Sequence, residues 1–169
     1  MEWINSSGGP LIFSSKKAAQ DWRGTTGSSF NTSETDYERA CAIYNYVEII
    51  PSGKHDLVVL GDEPMQSRLF ISSNSNFIAR WIYCKSNELA DEVLKKIPKE
   101  LNCIAEDKFI NLSGDELIIF DSALCFSEIG VESSCSLEKG VYRITTEIYK
   151  SGKEYNFILH RLIKSICLC

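Results

Sequence analysis

Residues 141–163 read VYRITTEIYKSGKEYNFILHRLI and form the clearest β-hairpin pattern of the chain. Over the first eight positions, largely apolar side chains alternate with polar ones, which is the period of a strand that buries one face. The polar turn KSGK, residues 150–153, separates this run from a second apolar run at residues 155–163. Two such runs joined by a short glycine-containing turn predict an antiparallel hairpin.

Short apolar runs elsewhere predict further strands. Turn signals such as Gly8-Gly9-Pro10 separate them, because glycine and proline interrupt regular structure. The predicted strands lie at residues 2–4, 11–13, 46–50, 57–60, 68–71, 77–83, 103–110 and 116–121. Strands therefore dominate the chain on both sides of its midpoint.

The clearest helical pattern lies at residues 87–97. Its apolar side chains recur on one helical face, Ser86 precedes it as a capping residue, and Pro98 follows its end. We predict a helix over this segment.

The N-terminal third has two shorter helical patterns. Residues 15–22 combine a serine cap with good helix formers, and Gly24 is a typical stop signal. Residues 37–42 follow Asp36, which we predict to cap them. Between the two helices, residues 25–35 are rich in Ser, Thr, Gly and Asn, and this composition predicts a mobile surface loop.

These elements predict an α+β protein with a single domain over residues 1–169. We expect a mixed N-terminal part with short helices at residues 1–101 and a β-rich C-terminal antiparallel sheet at residues 102–169. No internal repeat or low-complexity linker divides the chain. A length of 169 residues is sufficient for one hydrophobic core.

Charge and hydropathy exclude several classes of partner. The net charge is −5 and no basic stripe occurs, so we expect no nucleic-acid partner, because affinity for phosphate needs clustered lysine and arginine. The apolar runs are far shorter than the roughly 20 residues that cross a bilayer, so we expect no membrane partner. The N-terminus has an acid at Glu2 and no following apolar stretch, which favours a cytoplasmic location.

Cysteine and histidine usage gives no sign of a metal or cofactor. The seven cysteines are scattered, and only two histidines accompany them, so we expect no metal site and no cofactor. Their spacing fits buried, reduced thiols in a reducing cytosol. The glycine and histidine signatures of common enzymes are absent, and we predict that the protein is not an enzyme. The alternative is a small hydrolase or transferase in which His160 activates a cysteine.

The charge is unevenly distributed along the chain. Residues 100–138 contain nine acidic side chains and one lysine, whereas residues 64–99 and 139–169 have net charges of +3 and +4. Such an acidic segment is suited to steering a basic protein partner. The other interpretation is a solvated rim, paired across the sheet with Arg143, Lys150 and Lys153.

Nine short motifs occur in a fixed order over most of the chain. They are WI 3–4, SGGPLI 7–12, DWRG 21–24, DYERAC 36–41, LGDEP 60–64, RWIY 80–83, FDSA 120–123, GVYR 140–143 and LHRL 159–162. In this order they resemble the Immunity protein 21 family of bacterial polymorphic-toxin systems. The resemblance implies a cytoplasmic antidote that binds the C-terminal domain of a cognate toxin and blocks it without chemistry. An acidic antidote suits a toxin with a basic nucleic-acid-binding face, such as a nuclease.

The glycine, proline and aromatic residues of these motifs are typical of turns and core positions, so we assign them to the fold. We expect the toxin contacts in the acidic segment instead. The candidate partner-binding residues are Glu106, Asp107, Asp115, Glu116, Glu128 and Glu132. A third hypothesis is a housekeeping interaction module or a homo-oligomer subunit, for which a large exposed apolar patch is the mark. The sequence leaves the oligomeric state open.

Overall fold

The computed structural model describes residues 2–61, 63–73, 75–129 and 135–165. Within these ranges, ten strands form two antiparallel sheets of five strands each. The strands are β1 Leu11–Ser15, β2 Glu48–Ser52, β3 His55–Leu60, β4 Ser67–Ile71, β5 Asn76–Cys84, β6 Lys108–Leu112, β7 Glu116–Asp121, β8 Cys135–Ser136, β9 Gly140–Ser151 and β10 Tyr155–Lys164. Sheet 1 has the order β2-β3-β1-β7-β8, and sheet 2 has the order β4-β5-β10-β9-β6.

The main core lies between the two sheets. Sheet 1 contributes Leu11 and Phe13 from β1, and sheet 2 contributes Ile78, Ile110 and Ile144, all of them buried. Alternation along each strand sends these side chains inward and their neighbours outward. The two sheets therefore form a sandwich.

Helices cover the outer faces of both sheets. The three helices of the described ranges are α1 Lys16–Ala19, α2 Asp36–Cys41 and α3 Asn87–Leu94. On sheet 1, α1, α2 and the buried Trp22 pack over Ile12. On sheet 2, Ala90 and Leu94 of α3 pack over Phe157. None of these helices is long and apolar enough to cross a membrane.

The predicted hairpin is confirmed. Strands β9 and β10 pair over ten positions, from Tyr155 opposite Ser151 to Lys164 opposite Tyr142. Tyr142 and Ile144 face the core, as the alternation predicts. The strands predicted around residues 46–60 and 68–83 are confirmed as the hairpins β2-β3 and β4-β5.

Several predicted boundaries are wrong. Residues 2–4 form no strand, because only Ile4 makes a bridge, to Ser67. The strand predicted at 103–110 begins at Lys108, and the helices predicted to reach residues 22 and 97 end at Ala19 and Leu94. Short helices fray at their ends once the buried face stops, and sequence patterns locate such ends poorly.

The predicted cap at Asp36 is also wrong. Thr35 caps α2 by accepting a hydrogen bond from the Glu38 N–H, and the Glu38 side chain accepts one from the Thr35 N–H in return. This reciprocal pair is a capping box. Asp36 is the first helical residue and is completely buried.

The buried Asp36 carboxylate holds the loop at residues 25–35. It accepts hydrogen bonds from the Arg23 N–H at 2.8 Å and from the Ser29 N–H and hydroxyl at 3.0 and 2.9 Å. Arg39 Nη1 lies 2.9 Å from Asp36 Oδ1. The base of the loop is therefore tied to α2, and the predicted mobility of the loop stays a prediction.

The α+β class is confirmed in broad form, as mostly antiparallel sheet with a few short helices. The strands after residue 102 do not make a sheet of their own. β7 and β8 join β1–β3 in sheet 1, while β6, β9 and β10 join β4 and β5 in sheet 2. Each sheet therefore combines strands from both parts of the chain.

Candidate protein-contact surface

An exposed group of side chains lies on the outer face of sheet 2, at the end of strands β6, β9 and β10. We call it the exposed sheet surface and define it as Phe109, Val141, Arg143 and Ile163. Arg143 lies opposite Phe109 on β6 and opposite Ile163 on β10, so these three form a row across three strands. Phe109 is 58% exposed, and Val141 and Ile163 are exposed as well.

Among the described residues, helix α3 covers one end of the outer face of sheet 2. Helix α3 packs over Phe77, Ala79, Phe157 and Leu159 from β5 and β10. The exposed sheet surface lies beyond that helix, toward the edge strand β6. Apolar side chains gathered around an arginine on an open sheet face are typical of protein-contact surfaces.

A cleft of about 420 Å³ lies beside this surface, between residues 44–47 and 104–108. We call it the tyrosine cleft. Tyr44, Tyr46 and Glu106 line it, and Tyr44 is 88% exposed. Lys108 also lines it, but its Nζ is 2.8 Å from Glu48 Oε2. Glu106 makes no ion pair with any described residue, so it is the carboxylate of the cleft that is open to a partner.

Two of the predicted acids join the cleft to the exposed sheet surface. Glu106 lines the cleft, and Asp107 Oδ2 lies 3.2 Å from Arg143 Nη1. The tyrosine cleft and the exposed sheet surface lie on the two sides of the edge strand β6, because Lys108 shares the side of Ile110 and Phe109 takes the other. Asp107 lies between them at the start of that strand, and we call the two together, with Asp107, the contact face. Tyrosine and arginine are the residue types that carry most binding energy in protein interfaces.

The other predicted acids lie elsewhere. Asp115 and Glu116 follow β6 at its opposite end, about 16 Å of strand away from Glu106. Glu116 Oε1 lies 3.0 Å from Lys16 Nζ, and Asp115 lines a separate polar cleft with Lys16 and Lys17.

Glu128 and Glu132 do not join the contact face within the described structure. The Glu128 carboxylate accepts a hydrogen bond from the Cys125 N–H at 2.9 Å, closing a short 3-10 turn at Phe126–Glu128. That backbone hydrogen bond lowers the pKa of Glu128. Glu132 lies outside the described residues. The acidic segment is therefore continuous in sequence, but of the described candidate acids Glu106 and Asp107 lie at the contact face, whereas Asp115 and Glu116 lie together at the separate cleft.

Sequence reasoning missed the apolar half of the contact face. On β6, Ile110 and Leu112 enter the core, so the alternation sends Phe109 and Asn111 outward. The sequence signal for this surface was Phe109, a phenylalanine on the solvent side of an alternating strand. For Tyr44 no such signal existed, because it lies between α2 and β2 in a segment without periodicity.

His160 lies inside the sandwich and faces no cleft. It is completely buried, and its Nδ1 is 3.0 Å from the Thr146 hydroxyl. Its Nε2 is also buried and has no hydrogen-bond partner in the described structure. None of the five described cysteines bonds to it. In the described part of the chain, the structure does not assemble the alternative cysteine–histidine site.

Burial lowers the pKa of His160 well below its ordinary value of 6.5, and the positive charge of Arg80 lowers it further. The unfolded state therefore takes up a proton before the folded state does as the pH falls. We expect the free energy of unfolding to decrease below about pH 6.5, by up to about 1.4 kcal/mol per pH unit from this group. Above that pH the stabilisation is complete.

Urea denaturation of the wild type and of His160→Asn, from about pH 7.5 to about pH 5, tests this expectation. Asparagine keeps a hydrogen-bonding group toward Thr146 and cannot titrate. The variant should show a flatter pH dependence, while the carboxylates contribute equally to both proteins. Parallel curves for the two proteins would show that His160 does not titrate on unfolding.

Within the described residues, no group of three or more His, Cys, Asp or Glu side chains is arranged to hold a metal ion. The described cysteines are all free thiols. Burial raises the pKa of the Cys135 thiol, which disfavours its reactive thiolate form.

Comparisons with known proteins add one positive finding. No curated protein and no solved structure matches the chain. The family model described as Immunity protein 21 matches residues 2–155 of the 169, from the N-terminal segment to the first residue of β10. This match covers the first eight of the nine ordered motifs and confirms the family that they resemble: the chain belongs to the Immunity protein 21 family.

Proposed function

We propose that the protein is a cytoplasmic antidote that binds the C-terminal domain of a cognate polymorphic toxin and neutralises it non-covalently. The family name implies immunity against a toxin. The observation that carries the binding proposal is the contact face, where an exposed apolar row adjoins an acidic aromatic cleft. Toxin binding alone accounts for neutralisation, and the proposal assigns no catalytic residue.

The contact face has the composition of a hot spot. Phe109 and Ile163 supply apolar area, and Tyr44 supplies an amphipathic side chain at the rim of the cleft. Arg143 is already oriented by Asp107, so little side-chain entropy is lost when a partner docks on it. Exposed side chains of these types cost the free protein little stability. They contribute most to the binding free energy when a partner excludes water from them.

Electrostatics favours a basic toxin surface opposite the cleft. The chain has a net charge of −5, and Glu106 has no cationic partner among the described residues. A toxin that handles nucleic acid has a basic face of this kind, and we propose a nuclease as the toxin class. Complementary charge acts mainly on the rate of association.

Co-purification with the toxin domain encoded immediately upstream of this protein's gene, together with rescue of growth when both are expressed, tests the function. We expect stoichiometric binding and full rescue. A folded protein that neither binds nor rescues would contradict the proposal and leave only the family membership.

Substitutions in the contact face test its location. We expect Phe109→Ala combined with Tyr44→Ala to weaken toxin binding at least about tenfold and to abolish rescue. Tyr83→Ala is the matched control, because Tyr83 is also an exposed aromatic residue but lies on β5, outside the contact face. Equal losses for the control and the double variant would place the interface elsewhere.

A matched pair of charge reversals tests the steering. Glu106→Lys should slow association with the toxin, whereas Asp115→Lys, the same change at the other end of β6, should leave it unchanged. Stopped-flow measurements over a range of salt concentrations separate the two. Equal slowing would mean that the whole acidic segment acts through its net charge.

A further inference from the structure

A second groove, of about 860 Å³, lies between the β4-β5 hairpin and α3. We call it the basic groove. Its apolar lining comes from Phe70 and Phe77 of the hairpin and from Leu94 and Ile97 at the end of α3. The rings of Phe70 and Phe77 stack with their centres 4.8 Å apart. The stacked rings give the groove a preformed apolar surface.

The polar lining of this groove is basic. Lys95, Lys99 and Arg161 line it, and no acidic residue is among the described residues that do. Neither lysine makes an ion pair with a described residue. A smaller cleft of about 350 Å³ shares Lys99 and Arg161 and continues the groove to Ile163.

The fold creates this basic character by bringing distant segments together. Residues 64–99 and 139–169 have net charges of +3 and +4 in a chain whose total is −5. Both segments belong to sheet 2 and α3, and they meet where Arg161 of β10 lies opposite Phe77 of β5. The groove is thus a local positive region on an acidic protein.

Arg161 is fixed in place. Its Nε donates to Glu147 Oε2 at 2.6 Å, and its Nη2 donates to the Pro98 carbonyl at 2.6 Å. Glu147 is buried beneath it and balances its charge. The open positive charge of the groove therefore comes from the two lysines, and the guanidinium is a rigid part of the same lining.

The neighbouring strand edge favours an extended peptide as the occupant. Ser67 exchanges both of its backbone hydrogen bonds with Ile4, so the alternating positions Leu69 and Ile71 also turn their N–H and C=O groups away from β5. Leu69 is buried, so Ile71 is the position at which these groups reach the rim of the groove. No described residue pairs with the backbone of Ile71 on that side. Ile71 lines the groove as well.

We propose that the basic groove binds an extended acidic peptide segment of another protein, one in which apolar side chains alternate with carboxylates. The apolar side chains pack on Phe70, Phe77 and Ile97, and the carboxylates face Lys95 and Lys99. Two unpaired lysines are too few for a nucleic-acid backbone, whose binding rests on many phosphate contacts. The groove is separate from the tyrosine cleft, and only its smaller continuation reaches Ile163 of the contact face. This proposal does not depend on toxin binding.

Fluorescence anisotropy with the labelled peptide Glu-Leu-Glu-Phe-Glu and the full chain tests the groove. We expect saturable binding that weakens at least about tenfold in the double variant Lys95→Glu with Lys99→Glu. Lys150→Glu with Lys153→Glu is the matched control, since these exposed lysines lie at the β9-β10 turn, at the opposite end of β10. The control variant should keep at least about half of the wild-type affinity for the peptide.

Changes in the peptide test the two halves of the groove without any effect on folding. Gln-Leu-Gln-Phe-Gln should lose the interaction with the lysines, and Glu-Ser-Glu-Ser-Glu should lose the apolar contacts. Absence of saturable binding by Glu-Leu-Glu-Phe-Glu would overturn the proposal. An equal weakening of its binding in the control variant would overturn it as well. Binding of oligothymidylate or of phosphatidylglycerol vesicles in place of the peptide, abolished by the Lys95→Glu and Lys99→Glu changes, would also overturn it.

Discussion

Replacing Asp36 by alanine is expected to lower the free energy of unfolding by about 3–5 kcal/mol. The carboxylate is completely buried and accepts hydrogen bonds from Arg23, Ser29 and Arg39. Its removal leaves the Arg39 guanidinium, only 11% exposed, without its carboxylate partner, and leaves two backbone N–H groups without acceptors. Unpaired buried donors and charges account for the largest effects of single substitutions.

Urea denaturation measures this effect, and Glu34→Ala provides the control. Glu34 is an exposed acid in the same loop, so its removal changes the net charge equally and should cost less than about 0.5 kcal/mol. Asp36→Asn should give an intermediate loss, because the amide keeps one acceptor and places an NH2 group opposite a donor. A loss for Asp36→Ala no larger than for Glu34→Ala would show that the carboxylate does not hold the loop.

Substituting Gly24 by alanine is expected to cost about 3 kcal/mol, from two sources. Gly24 has φ +55°, where an L-residue is strained. A Cβ there would also lie 2.7 Å from the carbonyl carbon of Leu124 and would clash with the Ala123 carbonyl oxygen. These are backbone atoms, so the chain has to shift to admit the methyl group.

Gly152→Ala separates the two sources. Gly152 has φ +46°, and a Cβ there would meet no atom within 4 Å. Its substitution should therefore cost only the conformational strain, about 1 kcal/mol. Equal losses for the two variants, measured by denaturation, would show that the approach of residues 123–124 to Gly24 contributes nothing.

The parts of the fold that the sequence predicts are those that local physics decides. Ser86 caps α3 as predicted, and the turn that joins β9 to β10 lies at residues 152–154, overlapping the predicted 150–153, because each depends on neighbours in sequence. The pairing of β1 with β7 joins residues about 100 positions apart, so no local sequence pattern indicates it. Asp36 is similar, since a carboxylate before a helix looks like a cap whether it is exposed or buried.

The candidate site is only partly predictable for a related reason. A charge run along the sequence shows how many acids there are, but not which faces they occupy. Strand β6 places Glu106 and Asp115 at opposite ends, and Lys16 at the start of α1 neutralises Glu116. The basic groove was visible only as two positive segments, and sheet 2 is what brings them together.

The position of β10 has a consequence for biosynthesis. This strand, at residues 155–164, lies between β5 and β9, so it forms the centre of sheet 2 although it is made after every other described strand. Until it leaves the ribosome, β4-β5 and β9 have no common partner, and their apolar faces stay without a core. We therefore expect sheet 2 to be completed only after translation of residue 164. Premature termination before this point should leave the apolar faces of β5 and β9 exposed and the product prone to degradation.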